Sequence, residues 1–251
     1  MTHPPTGKLI GIGAGPGDPE LITVKALRSL QAASVVAFPA GRKGQPGVAE
    51  RAIAGWLKPQ QRRLPLYFPY VQALSQLQPA WQQAAQTVLG YLEAGETVVF
   101  ASEGDVSFYS TFTYLAQSLL QLQPAAQVEA VPGVCSPLAA AAVLGQPLTV
   151  QGQRLTVLPA LYCASDLETV LTWADVVVLL KVSSVYRQVW QILHRCKLLR
   201  HSYIVERATT EHQIVYADLR AYPDLQLPYF SILIVQNQIR QFQVAALPCP
   251  Q

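Results

Sequence analysis

Short apolar runs rich in valine and isoleucine alternate with segments of helical periodicity along the first half of the chain. The run LIGIGAG, which starts at Leu9, precedes a segment with Leu21, Val24, Leu27 and Leu30 in one stripe. Each apolar run predicts a buried strand, and each stripe predicts an amphipathic helix. The alternation is typical of βαβ units, so the pattern predicts an α/β fold with a mostly parallel N-terminal sheet.

The same alternation continues through the runs SVVAF and TVVFAS, which predict two more strands. Between them, a stripe from Val48 to Trp56 predicts one helix, and a longer helix is predicted to begin near Pro79 and end at Gly95. A helix over 109–122 follows the second run, and Tyr109 is expected to anchor its apolar stripe. The first predicted domain therefore spans residues 1–122.

The stretch QLQPAAQ, at 121–127, contains proline and glutamine and indicates a linker. A second domain is predicted over 128–251, beginning with VEAV and a helix that Ser136 would cap. The segments SYIVERAT, HQIVYADLR and YFSILIVQ then follow one another without long helices between them. Closely spaced strands favour antiparallel pairing, so the C-terminal sheet is predicted to be mixed.

Composition narrows the possible function classes. The 251 residues are 51% hydrophobic and 13% charged with a net charge of +3, which excludes a disordered chain and argues against a nucleic-acid partner. The apolar runs are far shorter than the roughly 20 residues that a membrane helix needs. The four cysteines and four histidines lack metal-ligand spacing, so we expect no metal site and a reduced, cytoplasmic environment.

The glycine cluster GIGAGPGD does not match a nucleotide-binding fingerprint. Counted from Gly11, the third glycine of G-x-G-x-x-G falls on Pro16, and counted from Gly13 it falls on Asp18. No Gly-Lys-Ser/Thr follows, which excludes a phosphate loop. Asp18 and Pro19 are expected to open the next helix as its cap and first residue.

Ligands of open α/β sheets bind at the carboxyl ends of strands. Glycine-rich or polar segments follow the predicted strands at GAGPGD, SEGDVSFYSTF, VPGVCS, LLKVSS and ERATT. No one of these segments is specific by itself, but together they predict a ligand site.

Taken together, GAGPGDPELIT, EGD, VPG and ERATT resemble the tetrapyrrole methylases, a two-domain family that uses S-adenosylmethionine to methylate corrin and sirohaem precursors. The resemblance covers nearly the whole chain. Within the family, SEGDxxFYSTF with VPGV, LLKV and ERATT is most similar to the enzyme that methylates carbon 20 of precorrin-2 or its cobalt-bound counterpart. One position departs from the pattern, because Val106 stands where the family usually has proline.

The resemblance implies a cofactor cleft between the two domains, a homodimer, and a tetrapyrrole substrate. It implies S-adenosylmethionine contacts at Pro16, Glu103, Gly104, Asp105, Phe108, Cys135, Ser136, Lys181 and Thr210. No catalytic residue is identified. The substrate has many carboxylates, for which Arg42, Lys43 and Arg187 are candidate partners.

Each of these residues also has an ordinary structural interpretation. Asp105 suits a turn-stabilising side chain, Cys135 a small buried one, and Lys181 a lysine at a strand end. The alternatives left open for function are another tetrapyrrole methylase, acting on uroporphyrinogen-III or in later corrin-ring methylation, a relative acting on ribosomal RNA, and a non-catalytic ligand-binding module.

Overall fold

The computed structural model describes residues 6–41, 45–69, 71, 73–161 and 163–237. The chain divides into two compact units. The first comprises Met1–Val143 together with the short segment Arg207–Gln213, and the second comprises Leu144–Glu206 and Ile214–Gln251. Each unit contains one five-stranded sheet.

The first unit contains an entirely parallel sheet, which confirms the predicted N-terminal architecture. Its strands are in the order β3-β2-β4-β1-β5. They are β1 (Lys8–Gly13), β2 (Val35–Pro39), β3 (Arg62–Leu66), β4 (Val98–Ser102) and β5 (Gln127–Val131). The sequence pattern did not single out β3, because Arg62, Arg63 and Pro65 interrupt its apolar run.

Helices cover both faces of this sheet, since side chains of successive strand residues point to opposite sides. Val98 and Phe100 of β4 pack into one core cluster, and Val99 and Ala101 pack into another. The helices are α1 (Val24–Ala32), α2 (Val48–Ile53), α3 (Leu74–Glu93), α4 (Thr111–Leu122) and α5 (Ser136–Val143). Helices α3 and α4 supply residues of the first cluster, and α1 and α2 supply residues of the second.

The helix starts differ from those predicted. Helix α3 begins at Leu74 and contains Pro79, so that proline does not mark its start. Helix α4 begins after Ser110, whose hydroxyl accepts a hydrogen bond from the backbone N–H of Phe112 at 3.1 Å. Asp18 caps only a short 3-10 turn over Pro19–Leu21.

The compact units also divide the chain later than the predicted boundary at 122–128. Strand β5 lies in that stretch and the residues that follow it, and it pairs in parallel with β1, with Ile12 opposite Val131. The proline and glutamine residues of 121–127 thus form an ordinary helix-to-strand connection within the first unit. Loop composition marks a break between elements but does not reveal which sheet the next strand joins.

The second unit has a mixed sheet, as predicted, in the order β6-β7-β10-β8-β9. Strands β6 and β7 are parallel and all other neighbours are antiparallel. Buried residues including Val177, Val189 and Leu233 form its core. Its elements are β6 (Leu155–Leu158), α6 (Ala164–Leu171), β7 (Val176–Leu179), α7 (Tyr186–Arg195), β8 (Ser202–Glu206), β9 (Ile214–Ala217) and β10 (Ser231–Gln236).

Within the described residues, no helix is both long enough and apolar enough to cross a membrane. Among the same residues, Cys135, Cys163 and Cys196 are free thiols, and Cys249 lies outside the described part of the chain.

Candidate functional site

Three glycine-containing loops leave one edge of the first unit's sheet. Strands β4, β1 and β5 are neighbours in that order, and all are parallel. Their carboxyl ends therefore lie side by side, and so do the β1 loop (residues 14–18), the β4 loop (residues 103–110) and the β5 loop (residues 132–135). We refer to them together as the site loops.

The site loops pack backbone against backbone, through glycines. A Cβ atom on Gly13 would stand 2.6 Å from the Cα of Gly133 and 2.7 Å from the carbonyl oxygen of Gly104. A Cβ on Gly133 would stand 2.6 Å from the same carbonyl oxygen. Any side chain at Gly13 or Gly133 would force the loops apart, so glycine is required there for close approach.

A two-residue bridge joins the β1 loop to the β4 loop. The N–H of Gly104 donates to the carbonyl of Gly15 at 2.8 Å, and the N–H of Gly15 donates to the carbonyl of Gly104 at 3.2 Å. Both glycines have positive φ, 81° and 67°, which L side chains rarely adopt. The first glycine cluster of the sequence therefore approaches the backbone of neighbouring loops.

The segment Arg207–Gln213 belongs to the first unit and packs on the β1 loop. The N–H of Asp18 donates to the hydroxyl of Thr209 at 3.2 Å, and a Cβ on Gly17 would lie 2.4 Å from the Cγ2 of Thr210. Thr209 has a φ of 68°, which is unfavourable for a β-branched residue. Thr209 of the ERATT motif thus keeps a strained backbone conformation where the motif packs on the β1 loop.

Asp105 ties the β4 loop to the β5 loop. One carboxylate oxygen accepts from the N–H of Ser107 at 2.8 Å and from its hydroxyl at 2.5 Å, and the other accepts from the N–H of Gly133 at 2.7 Å. Burial raises the pKa of Asp105, but these hydrogen bonds outweigh that effect, so its pKa lies below the ordinary value of 3.8. Asp105 is therefore a charged acceptor whose two oxygens both bind loop donors.

Val106 fills the family's usual proline position without disrupting this turn. The N–H of Phe108 donates to the carbonyl of Asp105 at 3.4 Å, which closes a four-residue turn with Val106 second. Proline is favoured at that position of common turns. The Val106 side chain is 2% exposed and belongs to a core cluster, so valine replaces the rigid ring by apolar packing.

Most of the sequence-predicted contact residues come together on these loops. Gly104 faces the β5 loop, since a Cβ there would lie 3.9 Å from both the Cα of Cys135 and the N of Ser136. Pro16 lies between the bridged Gly15 and Gly17. The first unit includes Pro16, Glu103, Gly104, Asp105, Phe108, Cys135, Ser136 and Thr210.

Lys181 belongs to the second unit, just beyond β7, and has a φ of 54°. Its cofactor contact stays a prediction, as do those on the site loops. Arg187 lies 3.5 Å from Asp224 with both side chains largely exposed. Arg42 and Lys43 lie outside the described residues.

Sequence reasoning missed the residues that hold the site loops together. Ser107, Gly133 and Thr209 lie inside the segments SEGDVSFYSTF, VPGVCS and ERATT, but nothing in their spacing identifies their hydrogen-bond partners. Tyr109 was expected in helix α4, yet it precedes the helix with a φ of 52° and a 56% exposed side chain.

The loops bring backbone N–H and C=O groups together at the carboxyl ends of parallel strands, which is where open α/β sheets bind small ligands. A Cβ at position 104 would make ordinary van der Waals contact with Cys135 and Ser136, so the β4 loop lies against the start of α5. Within the described residues, no group of three or more His, Cys, Asp or Glu side chains could hold a metal ion.

Comparison with known proteins places this arrangement in a family context. The profile of the Tetrapyrrole (Corrin/Porphyrin) Methylases matches residues 8–221. A Precorrin-2 C(20)-methyltransferase of Sinorhizobium sp is 33% identical over 237 residues, which cover 91% of this chain and 95% of that protein. A Cobalt-precorrin-2 C(20)-methyltransferase of Salmonella typhimurium is 31% identical, with 92% of this chain and 97% of that protein covered.

Solved structures agree on the fold. A cobalt precorrin-4 methyltransferase superposes with a TM-score of 0.70 at 22% identity, covering 94% of this chain and 97% of that one. The uroporphyrin-III C-methyl transferase of Thermus thermophilus, solved in complex with S-adenosyl homocysteine, gives a TM-score of 0.63 at 25% identity. It covers 91% of this chain and 97% of that one.

Proposed function

The chain belongs to the tetrapyrrole (corrin/porphyrin) methylases, and from that premise we propose that it methylates carbon 20 of precorrin-2 or of cobalt-bound precorrin-2 in cobalamin biosynthesis. Methyltransferase activity with S-adenosylmethionine is the chemistry of the family. The choice of carbon 20 is supported by relatives of that name, at 31–33% identity, whose similarity extends over more than nine-tenths of the chain.

The single structural observation behind the proposal is the convergence of the site loops. Gly13, Gly104 and Gly133 pack so closely that the loops meet backbone to backbone, with no side chain between them. Backbone N–H and C=O groups are the usual partners of the amino-acid and nucleoside parts of a small ligand. The residues present therefore fit S-adenosylmethionine.

We propose that the cofactor is bound by Pro16, Gly104, Phe108, Cys135 and Ser136, with Glu103 and Thr210 nearby, and the contact expected at Lys181 stays a prediction. Asp105 would act by fixing the β4 and β5 loops, since its oxygens already accept hydrogen bonds from Ser107 and Gly133. Cys135 would contribute backbone contacts and no thiol chemistry. Its place beside Gly104 supports that role, since a Cβ on Gly104 would lie 3.9 Å from the Cα of Cys135.

Bound S-adenosylmethionine supplies a methyl group that is already activated by the sulfonium. The residues of the site loops would hold the cofactor, and the transfer would form a carbon–carbon bond at the ring as the sulfur–methyl bond breaks and the ring carbon gives up a proton. The protein's part is alignment, because holding the ring carbon about 3–3.5 Å from the methyl group removes much of the entropic barrier. Rigid glycine loops suit that task, since they leave little freedom for the bound partners to separate.

The remaining parts of the proposal concern assembly and setting. We propose a homodimer that works in the cytoplasm on a small tetrapyrrole substrate, without a nucleic-acid partner. The free cysteines among the described residues support a reducing compartment. Sedimentation at micromolar concentration would test the dimer, and a single species of 27.4 kDa would contradict it.

The decisive experiment offers the purified protein S-adenosylmethionine with metal-free or cobalt-bound precorrin-2. We expect mass spectrometry to detect a product that is one methyl group heavier, and NMR with a ¹³C-labelled methyl donor to place the label at carbon 20. Uroporphyrinogen-III serves as the comparison substrate. Methylation of that substrate alone would contradict the choice of carbon 20, and failure to bind S-adenosylhomocysteine by calorimetry would contradict the enzyme assignment itself.

A further inference from the structure

Tyr109 has an unusual combination of backbone conformation and exposure. Its φ of 52° lies in the left-handed region, and its side chain is 56% exposed. A bulky residue in that region is strained, and such strain persists only where the surroundings fix the conformation. The sequence predicted instead that Tyr109 would anchor the stripe of α4, but the helix begins at Thr111.

The residues on both sides of Tyr109 are fixed. The N–H of Phe108 donates to the carbonyl of Asp105 at 3.4 Å, which closes the preceding turn. On the other side, the hydroxyl of Ser110 hydrogen-bonds to the buried hydroxyl of Ser102 at 2.7 Å. Tyr109 connects these anchored points, so its positive φ follows from the geometry of its neighbours.

The Tyr109 ring is also oriented. It packs edge-to-face on the ring of Phe108, with 4.7 Å between centroids and 70° between planes. Edge-to-face pairs are a favourable arrangement of aromatic rings. The loop therefore presents a held aromatic side chain to its surroundings, next to a proposed cofactor contact.

We propose that Tyr109 is a substrate-positioning residue, whose ring packs against the apolar face of the tetrapyrrole. This inference rests on the proposed function. Tyr109 follows β4, the central strand of the parallel sheet, at the edge where the site loops meet. A methyl acceptor must come within about 3–3.5 Å of the methyl group, so the substrate has to lie next to the proposed cofactor contacts, which include Phe108. A tetrapyrrole has a broad apolar ring face, which an exposed tyrosine ring can cover.

The strain gives the proposal a sharp test. Tyr109→Gly would relieve the backbone strain and remove the ring. If the ring serves folding, this change lowers stability. If the ring serves binding alone, the relief of strain leaves stability equal or higher. Lys197 provides the matched control. It has a φ of 59° and lies just past the end of α7 in the second unit, where Lys197→Gly relieves the same kind of strain far along the chain from the site loops.

The experiment compares wild type, Tyr109→Gly, Tyr109→Phe and Lys197→Gly. For each protein, it measures the melting temperature, the Kd for S-adenosylhomocysteine, and the KM and kcat for whichever tetrapyrrole the wild type methylates. We expect Tyr109→Gly to melt no lower than wild type, to bind S-adenosylhomocysteine within about twofold, and to raise the tetrapyrrole KM about fivefold or more. Tyr109→Phe keeps the ring and should restore the wild-type KM, and Lys197→Gly should leave KM unchanged.

An unchanged KM in Tyr109→Gly would overturn the inference, and so would equal losses of tetrapyrrole and S-adenosylhomocysteine binding. A lower melting temperature in Tyr109→Gly would assign the ring to folding instead. If the wild type methylates a tetrapyrrole other than precorrin-2, the proposed function is wrong but the role of Tyr109 is not. The Tyr109 variants are then compared with that other substrate. A wild type that binds no tetrapyrrole contradicts both.

Discussion

Replacing Asp105 tests whether one carboxylate holds the site loops in place. Its oxygens accept hydrogen bonds from the N–H and hydroxyl of Ser107 and from the N–H of Gly133. A hydrogen bond to a charged group contributes about 1.5–3 kcal/mol. Ser107 is exposed, so water competes for that pair, and we assign the Gly133 bond about 2 kcal/mol and the Ser107 pair about 1 kcal/mol.

Asp105→Ala should therefore lower the free energy of unfolding by about 3 kcal/mol, or roughly 6–12 °C in melting temperature for a protein of this size. Asp105→Asn should fall between alanine and wild type. An asparagine has only one acceptor oxygen, so its NH₂ group would face either Ser107 or Gly133, both of which donate there. The control Ser107→Ala removes only the hydroxyl bond and keeps the N–H bond, so it should cost about half of the Ser107 pair, or about 0.5 kcal/mol.

The assay pairs thermal melting with calorimetry of S-adenosylhomocysteine. We expect Asp105→Ala to weaken binding about tenfold, because the loops that carry the proposed contacts lose their tie. Since the folded pKa of Asp105 lies below 3.8, its contribution is present above that pH and is lost as the pH falls through the folded value. The difference in stability between wild type and Asp105→Ala should accordingly shrink below pH 3.8.

Two outcomes would refute this reasoning. If Asp105→Ala melts and binds like wild type, the hydrogen bonds do not hold the loops. If binding weakens while the melting temperature stays the same, Asp105 contacts the ligand directly and the positioning role is wrong.

Three further substitutions test other parts of the structure. Gly13→Ala should destabilise the protein by about 3 kcal/mol, because the new Cβ would stand 2.6 Å from the Cα of Gly133; wild-type melting would mean that the loops can separate freely. Val106→Pro should keep the melting temperature within a few degrees. Proline suits the second position of a turn, and that preference offsets the apolar packing lost with valine. A large fall in melting temperature would contradict that turn geometry. Tyr186→Phe should cost about 1 kcal/mol, because the hydroxyl donates to the carbonyl of Tyr222 at 2.6 Å. Burial, followed by Tyr216 and Asp224, raises the pKa of Tyr186 above 10, so the hydroxyl keeps its proton at both pH 7 and pH 9. Denaturant unfolding should therefore show the same loss of unfolding free energy at both pH values. A loss seen only at pH 7 would contradict this hydrogen bond.

Local sequence determined the type of fold. The valine-rich run of β4 reflects a strand that is buried on both faces, and the apolar stripe of α4 reflects a helix that is buried on one face. Both are patterns of neighbouring residues, so they can be seen in the sequence. The mixed sheet of the second unit was predictable for a related reason, because strands close together in the chain can pair without a crossover. The family resemblance then indicated which loops would carry the proposed site.

Several features depended on contacts between distant residues. Strand β5 joined the first sheet because its backbone pairs with β1, more than a hundred residues away. Asp105 and Gly133 lie 28 positions apart in the chain, and one hydrogen bond brings them together. Tyr109 lies outside α4 because Ser110, tied to Ser102, caps the helix after it.

Sequence by itself thus determined the kinds of elements and the motifs that end them, since hydrophobic burial and turn preference act over a few neighbouring residues. Only the tertiary structure decided which loops touch, which glycines are needed for close approach, and where backbone strain is held. Those properties arise from hydrogen bonds and excluded volume between segments far apart in the chain, and no local pattern encodes the distance between Gly13 and Gly133.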